Sequence, residues 1–99
     1  MFGALSVKTM KTIKPEIETL WLGTVDQGKQ LEINATVNGL STPLATVVAE
    51  APGESLWLEV YVNETAVRIP LETVSEIIQA AEGEVHSEAW YEENVDPKE

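Results

Sequence analysis

The sequence predicts an α+β fold, in which an antiparallel meander of about five β-strands is followed by one amphipathic helix and a final strand, with the helix packed on one face of the sheet. Three observations support this class. Apolar and polar residues alternate along most of residues 16–69, which is the period of a half-buried strand. After Pro70 the apolar residues take helical spacing. Segments rich in Gly, Asn and Pro separate the patterned stretches and mark turns.

The first half of the chain has the pattern of three strands joined by two turns. Residues 16–25 contain an apolar cluster and lead into a turn composition at residues 26–28. Residues 31–37 alternate strictly between apolar and polar side chains, which predicts one face on a core and one in water. Asn38-Gly39 follows at once. Because both residues tolerate positive φ, we predict a type I′ turn and a third strand over residues 40–49.

The second half predicts two further strands and the helix. Residues 56–62 are the most strand-like segment of the chain, and residues 66–69 predict a short fifth strand. Pro70 suits the first position of a helix, because its missing N–H has no intrahelical partner there. We predict the helix over residues 71–82, with Gly83 as a left-handed C-cap. The predicted apolar face of this helix comprises Leu71, Val74, Ile77, Ile78 and Ala81.

The remaining segments set the expected domain boundaries. Residues 85–92 alternate again and predict the final strand. Met10 begins a stretch that resembles a natural start, so we expect residues 1–9 to be an N-terminal extension or an expression remnant. Residues 94–99 are acidic and predict a disordered tail. A single α+β domain is therefore expected over residues 10–93.

The net charge of −11 lies entirely in the second half of the chain. Residues 1–49 hold four basic and four acidic side chains, whereas residues 50–99 hold Arg68 and Lys98 against 13 carboxylates. Repulsion among so many like charges destabilises a compact state. Solubility or a basic partner therefore explains this charge better than folding does.

Composition also argues against several classes of function. The 99 residues include no cysteine, which removes disulfides, thiolate metal sites and cysteine nucleophiles and favours a cytoplasmic location. The apolar runs are too short to cross a membrane. Because the acidic half holds only two basic side chains against 13 carboxylates, too few to neutralise phosphates, we expect no direct contact with nucleic acid.

No group of residues predicts catalysis, a cofactor or a bound metal. His86 is the only histidine, and Glu84, His86 and Glu88 would form at best a weak metal site along a strand. Glu72 and Glu76 lie one helical turn apart. They are better explained as a solvated charged face than as an acid–base pair. We therefore expect that the protein is not an enzyme.

One predicted face of the sheet carries aromatic side chains among carboxylates. Trp57 and Tyr61 share a face of the fourth strand, with Glu59 between them. An exposed aromatic cluster usually marks an interface, whereas a sheet curled into a half-barrel would bury the same rings. The candidate partner-binding residues are Trp57, Glu59, Tyr61, Glu72, Glu76, Glu88 and Trp90.

These features favour a protein-binding module. The first hypothesis is an inhibitor or immunity-type antidote of bacterial or phage origin. It would engage a basic, nucleic-acid-binding or toxin-like protein through aromatic anchors, with carboxylates that steer association. The alternative is a structural or assembly protein that forms a homodimer or larger homo-oligomer through the exposed sheet face. A ligand-binding or catalytic pocket between sheet and helix is the third and least supported hypothesis.

Overall fold

The computed structural model describes residues 10–26 and 28–94, and over these residues it contains five β-strands and two α-helices. In chain order the elements are β1 (Ile17–Thr24), β2 (Gly28–Val37), β3 (Leu40–Glu50), β4 (Ser55–Val62), β5 (Thr65–Pro70), α1 (Leu71–Glu84) and α2 (Glu88–Asn94). The strands form an open antiparallel sheet in the order β1-β2-β3-β4-β5. The α+β class and an open antiparallel sheet of five strands are therefore confirmed. The predicted extension, residues 1–9, and all but Asn94 of the predicted tail lie outside the described residues.

The chain divides into two compact units, one that ends at Thr46 and one that begins at Val47. We call the first the neutral unit, because its basic and acidic side chains are equal in number. We call the second the acidic unit, because it carries the whole net charge of −11. The single domain expected over residues 10–93 stays a prediction.

Two tight turns have the backbone geometry of mirror-image hairpin turns. Asn38 and Gly39 have φ values of 53° and 81°, so the predicted type I′ turn is confirmed. Asn63 and Glu64, with φ values of 48° and 65°, join β4 to β5 in the same way. Because a two-residue turn fixes which residues face each other across a hairpin, this second turn sets the register of β4 against β5.

The predicted final strand over residues 85–92 is wrong, because α2 occupies Glu88–Asn94. Ser87 starts this helix: its hydroxyl accepts a hydrogen bond from the Trp90 backbone N–H at 3.1 Å, as an N-cap residue does. The Ser87 carbonyl also accepts a bond from the Tyr91 N–H at 3.3 Å. The residues after the cap include glutamate and alanine, whose helix preference outweighs the short alternating pattern.

The end of α1 also differs from the prediction. The helix continues through Gly83 to Glu84 and is followed by Val85 in an extended conformation, so the predicted left-handed cap at Gly83 is wrong. Val85 closes the last turn, because its N–H donates to the Ala81 carbonyl at 2.8 Å. An ordinary helical hydrogen bond therefore ends α1, and no residue with positive φ is needed there.

The apolar face of α1 is only partly covered, although the helix contacts β4 and β5. Val74 and Ala81 are half-buried, whereas Ile77 is 58% exposed and Ile78 is 53% exposed. Ile77 and Ile78, both on the predicted apolar face, therefore do not lie in the core of the described structure. That α1 packs on one face of the sheet stays a prediction.

The most deeply buried of the described residues have small side chains. They are Ala35, Ala45, Thr46 and Val48, each no more than 8% exposed. Larger apolar side chains in both units remain half-buried or exposed. Since hydrophobic stabilisation grows with the apolar area removed from water, each unit keeps apolar surface that a further contact would bury favourably.

Candidate functional site

A groove of about 480 Å³ opens in the acidic unit, where the start of β4 meets the junction of β5 and α1. The strand register forms it, because Trp57 lies opposite Pro70, the last residue of β5. The pyrrolidine ring fixes the backbone at Pro70, and the chain enters α1 at the next residue. The groove is lined by Ser55, Leu56, Trp57, Pro70, Leu71, Glu72 and Ser75.

The indole of Trp57 is held at the start of β4 by its own strand. Its Nε1 donates a hydrogen bond to the Ser55 hydroxyl oxygen at 3.1 Å. That bond satisfies the polar atom of the ring, which leaves the aromatic carbon surface for contact. Trp57 is half-buried, so part of the ring is already fixed by the protein.

Arg68 is held between two carboxylates of neighbouring strands. Its Nη1 donates to Glu50 Oε2 at 2.8 Å, and its Nε donates to Glu59 Oε2 at 2.9 Å. The hydrogen bond to Glu50 and then that to Glu59 raise the pKa of Arg68 above its already high ordinary value. The guanidinium is therefore charged at any accessible pH, and these two acids compensate its charge.

The other nine carboxylates that the structure describes in the acidic unit have no ion-pair partner among the described residues. All nine are exposed: Glu54, Glu64, Glu72, Glu76, Glu82, Glu84, Glu88, Glu92 and Glu93. Two of them, Glu82 and Glu84, lie near the C-terminus of α1, where the last turn holds no basic residue. The helix dipole is negative at that end, so it adds to the field of the carboxylates.

A second aromatic group surrounds the start of α2. His86 stacks on Trp90 with ring centroids 3.8 Å apart and an angle of 11° between the rings. Tyr91 meets the edge of this stack, 5.0 Å from Trp90 and nearly perpendicular to it. Because Ser87 is the N-cap, His86 and Tyr91 occupy the two positions that often pack together at the entry to a helix. This cluster stabilises the local start of α2.

The structure brings the predicted partner-binding residues together only in part. Trp57 and Glu72 both line the groove. Glu59 is bound by Arg68, and its side chain is only 16% exposed. The other four candidates are exposed and lie elsewhere in the acidic unit, with Tyr61 on β4, Glu76 on α1, and Glu88 and Trp90 on α2.

The other groove residues are not among the predicted site residues; they are Ser55, Leu56, Pro70, Leu71 and Ser75. One signal was present in the sequence. If Asn63 and Glu64 are taken as the centre of a two-residue turn, counting outward pairs Glu59 with Arg68 and then Trp57 with Pro70. That register predicts the ion pair and the place where the helix starts beside the tryptophan.

Neither a metal site, nor a membrane-spanning helix, nor a similar known protein assigns a function to the described residues. Among the described residues, no group of three His, Asp or Glu side chains is placed to hold a metal ion. No helix within residues 10–26 and 28–94 is long and apolar enough to cross a lipid bilayer. Comparison of the chain with protein families, with curated proteins and with solved structures finds no match.

Proposed function

We propose that this protein is a small acidic protein-binding module of the inhibitor or immunity type, which acts in the cytoplasm on a basic, nucleic-acid-binding or toxin-like protein. One observation carries the proposal. Nine exposed carboxylates of the acidic unit have no ion-pair partner among the described residues, and the one described cation of that unit, Arg68, is already bound. A basic partner would supply the missing positive charge.

The exposed carboxylates support fast and selective association. Charges at the rim of an interface act mainly on the encounter rate, since they steer a partner of opposite sign and repel one of the same sign. Glu82 and Glu84 add to this field at the negative end of the α1 dipole. In this proposal Glu59 is a structural residue, because its carboxylate is bound by Arg68.

The groove supplies a point of contact within this charged surface. Its chemistry suits an arginine side chain of the partner, because a guanidinium stacks favourably on an indole such as Trp57. The carboxylate of Glu72, which also lines the groove, can accept two parallel hydrogen bonds from the same guanidinium. Lysine offers neither the planar stacking nor the paired hydrogen bonds. We therefore expect the partner to present arginine at this point.

The test uses two synthetic peptides of equal length and charge, one rich in arginine and one rich in lysine. Binding to the full chain is measured by isothermal titration calorimetry at low salt. We expect tighter binding of the arginine peptide, and weaker binding of both peptides as salt rises, because exposed charges are screened. Trp57→Ala and Glu72→Gln should each weaken arginine-peptide binding about tenfold, which corresponds to about 1.4 kcal/mol.

The matched control is Glu64→Gln, which removes the same charge at the far end of the β4–β5 hairpin. It should change binding less than about twofold, because the attraction between two charges weakens with distance and Glu64 lies away from the groove. Equal losses in Glu72→Gln and Glu64→Gln, or no preference for arginine, would contradict the groove as the contact point. Failure of the full chain to bind either peptide at low salt would contradict the proposed function itself.

A further inference from the structure

We infer that β1 is a dimerisation edge, along which a second copy of this chain adds its own β1 in antiparallel orientation. The inference does not rest on the proposed function, because the contact it describes lies in the neutral unit. The two β1 edges would pair with each other, so that the sheets of both copies join into one.

Among residues 10–26 and 28–94, the position of β1 in the sheet leaves one side of its backbone without a neighbouring strand. The sheet order places β1 at one end, next to β2 alone. All eight residues of β1 pair with β2 without interruption, from Ile17 opposite Ala35 to Thr24 opposite Gly28. The other side of the strand therefore presents N–H and C=O groups along about 27 Å. A regular, open edge of this kind is a template for another strand.

β1 lacks the features that usually protect an edge strand. Its sequence, IETLWLGT, contains no proline and no lysine, and its only charged side chain is Glu18. The other edge of the sheet is different. β5 has only six residues, ends at Pro70, and carries Arg68 in two ion pairs. Short length, proline and charge each discourage pairing of an edge with another strand. Of the two edges, β1 is therefore the one suited to an added strand.

The side chains of β1 offer apolar surface on both faces of the strand. Ile17 and Trp21 lie on one face, where they are 52% and 64% exposed, and Leu20 lies on the other face, where it is 52% exposed. The Lys29 ammonium lies 4.8 Å from the centre of the Trp21 ring, so the indole is held on its face of the sheet. A second strand would cover the flanks of these side chains. A contact limited to one strand of each copy is small beside the roughly 1,200 Å² or more that stable complexes bury, so we expect a weak, reversible dimer.

The charge distribution favours contact between copies through the neutral unit. Two acidic units repel each other, whereas the neutral unit holds equal numbers of basic and acidic residues. A two-fold axis through Leu20 or Trp21 places Glu18 of each copy opposite Leu22 or Thr24 of the other. No two carboxylates then meet across the new pairing. Like charges that face each other across strands would have opposed it.

Sedimentation equilibrium of the full chain over a range of concentrations tests this inference. We expect a reversible dimer that tightens as salt rises, because salt screens the repulsion between two copies that each carry a charge of −11. Leu20→Lys should weaken the dimer roughly tenfold or more, since lysine on an edge strand opposes pairing. Val25→Lys is the matched control, because Val25 lies in the turn after β1 and is fully exposed.

The outcomes separate this inference from other modes of association. A chain that stays monomeric at high salt and at the highest soluble concentration overturns it, as does a dimer that Leu20→Lys leaves unchanged or that Val25→Lys weakens equally. If circular dichroism shows that Leu20→Lys is unfolded, Thr19→Lys provides the same test from the other face of β1. Amide hydrogen exchange gives a second readout, in which protection in β1 but not in β5 rises with protein concentration.

Discussion

The hairpins β1–β2 and β4–β5 each contain one tryptophan, but the surroundings of the two rings differ. In β1–β2, Trp21 lies opposite Leu31, and β1 remains an open edge. In β4–β5, Trp57 lies opposite Pro70, and the chain continues directly into α1 beside it. The segment that follows the hairpin therefore determines whether the tryptophan lines a groove or stays on an open strand.

The cations of the two hairpins show a second difference. Lys29 in β2 lies over the ring of Trp21, whereas Arg68 in β5 binds Glu50 and Glu59. A cation over an exposed ring contributes little to stability, while a guanidinium that neutralises two acids relieves repulsion among them. The stability of β4–β5 therefore depends on Arg68 more than the stability of β1–β2 depends on Lys29.

The largest effect is expected for a charge placed at the most deeply buried residue of β2. Ala35, opposite Ile17, is only 4% exposed, so Ala35→Asp should lower the free energy of unfolding by about 3 kcal/mol or more, because it buries a carboxylate. Urea denaturation measures the change. Thr36→Asp is the control, because Thr36 is exposed and points to the other face; its effect should stay within about 0.5 kcal/mol. Similar losses of stability at both positions would contradict the β1–β2 pairing described above.

A smaller effect is expected when the cations of the two hairpins are removed. Arg68→Ala should destabilise the protein by about 1–2 kcal/mol, since it leaves the largely covered Glu59 carboxylate without its hydrogen-bond donor. Lys29→Ala should cost about 0.5 kcal/mol, because it loses only an exposed contact with Trp21. Thermal unfolding followed by circular dichroism compares the two variants. If the two variants lose equal stability, Arg68 does not stabilise its hairpin more than Lys29 does.

The smallest effect is expected on the exposed side of α1. Ile77→Ala should lower the free energy of unfolding by about 1 kcal/mol or less, since Ile77 is 58% exposed, rather than by the roughly 2–5 kcal/mol typical of a buried isoleucine. Val74→Ala removes a smaller side chain, but from a half-buried position, and should cost at least as much. A loss above about 2 kcal/mol in Ile77→Ala, measured by urea denaturation, would show that this face of α1 is covered in solution.

Much of the fold follows from local signals in the sequence. The Asn38-Gly39 turn and the strict alternation around it predict a hairpin, because each residue type there favours the same geometry. The segment after α1 shows why the final strand was predicted wrongly. Four alternating pairs over residues 85–92 fit a strand, but Ser87 also fits an N-cap, and the hydrogen bond from the Trp90 N–H to its hydroxyl starts a helix.

The candidate site was less accessible to sequence reasoning than the fold. Alternation places Trp57 and Glu59 on one face of β4, but it does not show that Arg68 binds Glu59 or that Glu72 comes beside Trp57. Those contacts depend on the register of two strands and on the path of the chain after Pro70. Periodicity within one segment contains no information about register; only the turn at residues 63–64 does.

The three tryptophans lie in three different local environments, which makes them natural optical reporters. Trp21 is largely exposed beside an ammonium group, Trp57 lines a groove with its N–H bonded to Ser55, and Trp90 stacks on His86. Each ring senses a different event, because pairing of strands would cover the first, an occupied groove the second, and fraying of α2 would release the third. Replacing two of the three by phenylalanine leaves a protein whose intrinsic fluorescence reports on one event at a time, without an attached dye.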